Sequence, residues 1–124
     1  MPATERSLEL ARAAAAAADE KLATTIAGID VSEQLALTDA FVIVSAGSDR
    51  QVGAIVDEVE DQLRAKGAKP IRREGEREGR WVLLDFGDIV VHVQHDEERD
   101  FYELERLWKD CPEIDLGVPK RRDA

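Results

Sequence analysis

One cysteine, Cys111, is all that this chain of 124 residues holds, so no internal disulfide is available and the fold must rest on packing and hydrogen bonds. Proline is scarce as well, at four residues, and no polar low-complexity tract interrupts the chain, which excludes a disordered or linker-like protein. No stretch approaches the ~18 consecutive apolar residues that a bilayer-spanning helix needs. The alanine run from Ala13 to Ala18 is too short and too weakly hydrophobic. The opening Met1-Pro2-Ala3-Thr4-Glu5-Arg6 has no basic region leading into an apolar run, so a secretory signal is not expected. With the lone thiol, this predicts a protein of the reducing cytoplasm. Positive charge is in deficit too: 17 Lys and Arg face 27 Asp and Glu, a net charge of -10. Such a surface repels phosphate backbones, so little direct nucleic-acid binding is expected, and it suits a basic protein partner through complementary fields.

What remains is the composition of a globular domain, 44% hydrophobic and 35% charged. Glu5 to Leu22 is rich in strong helix formers, with Leu8, Ala11, Ala15, Ala18 and Leu22 recurring at steps of three and four. Small side chains on that stripe predict a helix lying close to a sheet. Ile26 to Val31 alternates, and Ala40-Phe41-Val42-Ile43-Val44 is a continuous run of strand length, as expected for a buried central strand. Ser48-Asp49-Arg50-Gln51 fits a capping box, opening a helix whose apolar face is Val52, Ile55, Val56, Val59 and Leu63 and whose stop is Lys66-Gly67. Ile71 lies in a short extended segment, and Glu74 to Gly79 reads as a charged turn. Trp81 to Asp85 and Ile89 to Val93 then flank Phe86-Gly87-Asp88 as a β-hairpin. Asp96 can cap a last helix carrying Phe101, Leu104, Leu107 and Trp108. The order helix, strand, strand, helix, three strands, helix predicts an α/β fold with a mixed five-stranded sheet covered by helices. One domain is expected over residues 1–116, with residues 117–124, including Lys120-Arg121-Arg122, as a flexible tail.

Few residues are spaced for chemistry. Ala46-Gly47-Ser48 between strand and helix resembles the start of a phosphate-binding turn, but the glycines and lysine of a Walker-type or dinucleotide loop are missing, so a simple helix cap is the better reading. A metal-dependent nucleotidyltransferase would need two carboxylates one residue apart on a nearby strand. Asp85 and Asp88 have the wrong spacing and fit a hairpin tip, where Asp bonds local amides. His92 and His95, three apart on a strand, face opposite sides and cannot easily share a metal. Cys111, beside Pro112, carries no nucleophile signature. The large side chains from Arg99 to Trp108 are too many for one helical face, so one side is core and the other a candidate interface. Trp81 poses the same choice between core and contact.

Taken in order, Asp30-Val31, Thr38-Asp39, Ser48-Asp49-Arg50-Gln51-Val52, Glu74-Gly75, Trp81-Val82-Leu83-Leu84-Asp85, Gly87-Asp88-Ile89-Val90-Val91-His92 and Arg99 through Trp108 resemble the ribosomal silencing factor, or Iojap, family. The match runs from about Leu8 to Asp110. A tryptophan-led hairpin ending in His92, followed by a helix with arginine, tyrosine and tryptophan, is the specific part. The resemblance implies a nucleotidyltransferase-like fold without the catalytic motif, no cofactor and no enzymatic activity. It also implies a translational repressor that binds the large ribosomal subunit through ribosomal protein L-fourteen and sterically blocks the small subunit, lowering translation in starvation or stationary phase. By the same analogy Trp81, Phe86 and Tyr102 are expected as apolar anchors and Arg99 as part of a polar rim. Two other classes compete: a magnesium-dependent nucleotidyltransferase using Ser48, Asp49 and Asp85, and a homodimeric interaction module pairing through a sheet edge.

Overall fold

A computed structural model describes residues 3–75, 79–102, 106 and 108–121. Within them the order is α1 (Glu5–Glu20), β1 (Thr25–Asp30), β2 (Ala40–Ala46), α2 (Asp49–Ala65), β3 (Arg72–Glu74), β4 (Trp81–Asp85), β5 (Ile89–His95) and α3 (Asp96–Tyr102). Thr4 starts α1 because its extended backbone lets its side chain accept from the Ser7 amide at 3.1 Å, satisfying one of the unpaired donors of the first turn. The helix stops at Leu22, a non-glycine residue at φ 63°. The predicted stripe on α1 is wider in the fold. Leu10, Ala11, Ala14, Ala15, Ala17 and Ala18 are all buried, because methyl side chains let the axis approach the sheet and α2 together. Leu8 is only half-buried and Leu22 is exposed.

The second helix follows its prediction. Ser48 Oγ accepts from the Gln51 amide at 3.1 Å, and Val52, Ile55, Val56, Val59 and Leu63 are buried. The Gln51 side chain reaches back past the cap residue: Oε1 accepts from Gly47 N at 3.3 Å, while Nε2 donates to the carbonyls of Lys21 and Leu22 at 3.1 and 2.8 Å. One glutamine thereby joins the start of α2 to the end of α1.

The sheet is mixed, with strand order β1-β2-β5-β4-β3. β2 and β5 run parallel at the centre, and the other neighbours are antiparallel. The parallel pair requires a long crossover, supplied by α2, β3 and β4. One sheet face carries Val42, Val44, Val82, Leu84, Val91 and Val93 and packs under α1 and α2 as the main core. The opposite face carries a second, smaller cluster of Ile29, Val31 and Ile43, edged by Leu35, Phe41, Trp81, Trp108 and Cys111, with no residue from α1 or α2. Among the described residues no helix is long and apolar enough to cross a membrane.

The expected tail is a correction. Far from hanging free after residue 116, the chain from Pro112 to Arg121 runs along the outer edge of β1. Asp30 N donates to Pro112 O at 2.8 Å, Ile114 N to Gly28 O at 2.9 Å and Ile26 N to Lys120 O at 2.8 Å. Leu116, 7% exposed, plugs this contact against Gly28, where an added Cβ would lie 2.9 Å from the Leu116 side chain. The segment lacks apolar periodicity because it is held by backbone pairing and a few single plugs, a pattern that composition does not reveal. Residues 122–124 lie outside the described residues.

Candidate partner-binding face

The hairpin of β4 and β5 is closed by local bonds. Asp85 Oδ1 accepts from Gly87 N at 2.8 Å, Phe86 N donates to Ile89 O at 2.9 Å, and Asp88 O accepts from Asp39 N at 2.9 Å. Asp85 also lies 3.8 Å from the Arg72 guanidinium. The aspartates at the tip are therefore engaged as turn residues. Among the described residues no group of three or more His, Cys, Asp or Glu side chains is placed to hold a metal ion.

At the other end of the hairpin Trp81 begins β4 opposite Gln94. It is half-buried, on the face that α1 and α2 leave uncovered. Its position is set from two sides. The Gly75 backbone, at φ 84°, passes so close that a Cβ there would sit 1.9 Å from the Trp81 carbonyl oxygen, so only glycine fits at that turn. On the sheet, the indole Nε1 donates to His92 Nδ1 at 3.2 Å.

His92 is 7% exposed, and burial pushes its pKa down to about 4, so the ring is neutral at physiological pH. Phe41 from β2 meets the His92 ring edge-on, with centroids 5.1 Å apart, and meets Trp108 in the same way at 5.2 Å. Trp81, His92, Phe41 and Trp108 thus form one aromatic row across β4, β5 and β2. The sequence reads Phe41 as part of a buried central strand and His92 as the end of the tryptophan-led hairpin and a weak metal candidate, and neither reading links them into this row. Strand alternation could have found it. Val91 and Val93 face the helices, which turns His92 to the other side. His95 lies one face away, where its Nδ1 accepts from Glu97 N at 3.1 Å.

The four expected contact residues fall differently. Trp81 stands on the face away from α1 and α2. Phe86 does not offer a surface: at 7% exposure it belongs to the main core, because the tight turn that Asp85 closes tucks the ring under the hairpin. Arg99 is half-buried in α3, whose first turn is acidic through Asp96, Glu97 and Glu98. Tyr102 closes α3, but its side chain, like those of Phe101, Leu104 and Leu107, lies outside the described residues. Arg80, just before Trp81, bridges the hairpin to α3 and α2 through Glu98 at 2.9 Å, Glu97 at 3.2 Å and Asp49 at 3.7 Å.

Two further carboxylates of the resemblance prove structural. Asp39 Oδ2 accepts from Thr4 N at 3.0 Å and Ser7 Oγ at 2.8 Å, and Asp30 Oδ2 accepts from Ala3 N at 2.9 Å. They fasten the start of α1 to the ends of β1 and β2. The hydrogen bond from Thr4 holds the Asp39 carboxyl below its ordinary value. For Asp30, burial opposes ionisation, but bonds from Ser32 and Ala3 outweigh it and lower the pKa.

Fold and face together define an α/β domain with a mixed sheet, α1 and α2 on one side and an aromatic row on the other. Over residues 4–124 the chain matches the family described as "Ribosomal silencing factor during starvation". It is 47% identical over 103 residues to the ribosomal silencing factor RsfS of Bacillus subtilis, covering 83% of this chain and 87% of that one. It is 33% identical over 115 residues to the chloroplastic protein Iojap of Zea mays, covering 93% of this chain and 50% of the plant protein. A crystal structure from Chromobacterium violaceum superimposes with a TM-score of 0.78 at 31% identity, over 90% of this chain and 92% of that one. The chain belongs to the ribosomal silencing factor family.

Proposed function

We propose that this chain represses translation by docking on the large ribosomal subunit, through ribosomal protein L-fourteen, so that the small subunit cannot join. Membership of a family of ribosomal silencing factors supports ribosome association and translational regulation. The family description "during starvation" supports action when nutrients run out, in the cytoplasm where ribosomes assemble. The observation that carries the contact is Trp81, a large amphipathic side chain held half-buried on the sheet face that the long helices leave uncovered. Tryptophan is among the residue types enriched at interface hot spots. Arg99 and Tyr102 in α3 extend the same contact, while Phe86 supports the hairpin from beneath. Repression by occupancy asks for no reacting group, and the net charge of -10 suits a basic ribosomal protein.

Co-sedimentation with isolated large subunits tests this reading. Wild type is expected in the large-subunit fraction, and a folded Trp81→Ala variant is expected to lose ~2 kcal/mol or more of binding. Equal binding by both proteins would remove Trp81 from the contact.

A further inference from the structure

The Trp81 indole donates a hydrogen bond to a residue that no part of the proposed contact uses. His92 lies on the neighbouring strand, paired with Leu83, so its ring and the indole stand side by side on one face of the sheet. Their centroids are 6.1 Å apart. Because indole Nε1 only donates, His92 Nδ1 must be the acceptor, which places the imidazole proton on Nε2. Nε2 is buried and has no hydrogen-bond partner among the described residues, so the bond to Trp81 is the polar contact that fixes the ring. On its far side the imidazole meets the Phe41 ring at 73°, and Phe41 is braced in turn by Trp108. The imidazole cannot swing away, and the indole inherits that rigidity.

We propose that His92 is a positioning residue for the partner-binding face: through Nδ1 it holds the Trp81 indole in one orientation, so that the ring meets the ribosomal partner already ordered. The inference rests on the reading that Trp81 contacts the large subunit. Its physical basis is that an interface side chain ordered before association loses less conformational freedom on binding. Without the His92 acceptor the half-buried indole would be less restrained, and more of its ordering would fall to the partner. His92 touches nothing of the partner itself, since it is almost wholly buried.

The test is a double-mutant cycle with the full chain and isolated large ribosomal subunits: wild type, His92→Phe, Trp81→Phe and the double variant, each checked for folding by circular dichroism. His92→Phe keeps an aromatic ring against Phe41 and removes the acceptor. It is expected to weaken binding by about three- to tenfold, the range set by immobilising one side chain. In the Trp81→Phe background the same change is expected to do nothing further, because phenylalanine has no N–H to hold. An independent readout is the Trp81 indole N–H signal in a proton–nitrogen correlation spectrum, assigned with Trp108→Phe. It should be protected from solvent exchange in wild type and lose that protection in His92→Phe. Binding by His92→Phe at the wild-type level, or an equal loss in both backgrounds, overturns the positioning role, since the second result means that His92 acts on the fold at large. Failure of wild type to bind any large subunit is the distinct result that overturns the underlying reading, and the positioning role falls with it.

Discussion

At the scale of single residues the aromatic row makes a definite statement about acid. His92 is neutral in the folded chain down to about pH 4, whereas the unfolded chain takes up a proton near the ordinary value of 6.5. Its contribution to stability is therefore complete above pH 6.5 and is lost as pH falls from 6.5 towards 4. The loss is of order 3 kcal/mol for a shift of that size. Denaturant melts of wild type and His92→Phe across this window check it: the difference between them should narrow or reverse by about that amount on acidification, and parallel curves would contradict it. Asp39 acts lower on the scale. Its pKa is lowered in the fold, so its contribution is full above 3.8 and disappears as pH drops through the folded value. At neutral pH, Asp39→Ala leaves the Thr4 amide and the buried Ser7 hydroxyl without this acceptor, and a cost of about 2 kcal/mol in chemical denaturation is expected.

At the scale of elements, the C-terminal segment is the point where local pattern and three-dimensional structure part. Gly28 sits in the middle of β1, a position where a β-branched residue normally helps a strand. Here Gly28→Val should destabilise by about 2 kcal/mol, because its side chain would enter the space filled by Leu116. Pairing it with Leu116→Ala should recover part of the loss, and a thermal melt of the three variants reads the result directly. Gly28 and Leu116 are far apart in sequence and neither belongs to a periodic run, so their contact was not legible. The second helix and the hairpin were. Val52 to Leu63 at helical spacing, the Ser48 cap and the turn at Phe86-Gly87-Asp88 each depend on neighbours within a few residues, and each stands where local chemistry placed it. The candidate site was legible only in part. Trp81 stood out as a residue type, but that Phe86 turns inward depends on the tip geometry, and the link from Trp81 to His92 depends on strand register. Asp30 and Asp39, quoted for the resemblance alone, show their role only once α1 is docked on them.

At the scale of the whole molecule, both sheet edges are protected. Residues 112–121 cover β1, and β3 is three exposed, charged residues, Arg72, Arg73 and Glu74, a short edge of the kind that resists strand pairing. The half-exposed Trp81 on the face away from α1 and α2 and the strong negative charge are then the features offered for recognition. A field of that sign should steer the chain to a basic partner. The association rate with large subunits is accordingly expected to fall several-fold as salt rises past physiological strength, with a smaller change in dissociation. Stopped-flow binding at a series of salt concentrations checks this, and a salt-independent association rate would count against electrostatic steering.

Subunit joining tests the central claim most directly. Purified large and small subunits are mixed under conditions that favour association, with increasing amounts of this protein, and joined ribosomes are followed by light scattering or sucrose-gradient sedimentation. The account predicts that wild type lowers the joined fraction in step with its occupancy of the large subunit, that folded Trp81→Ala does so only at much higher concentration, and that neither protein acts once the subunits are already joined and stable. Joining that proceeds unchanged while wild type is bound to the large subunit would contradict it.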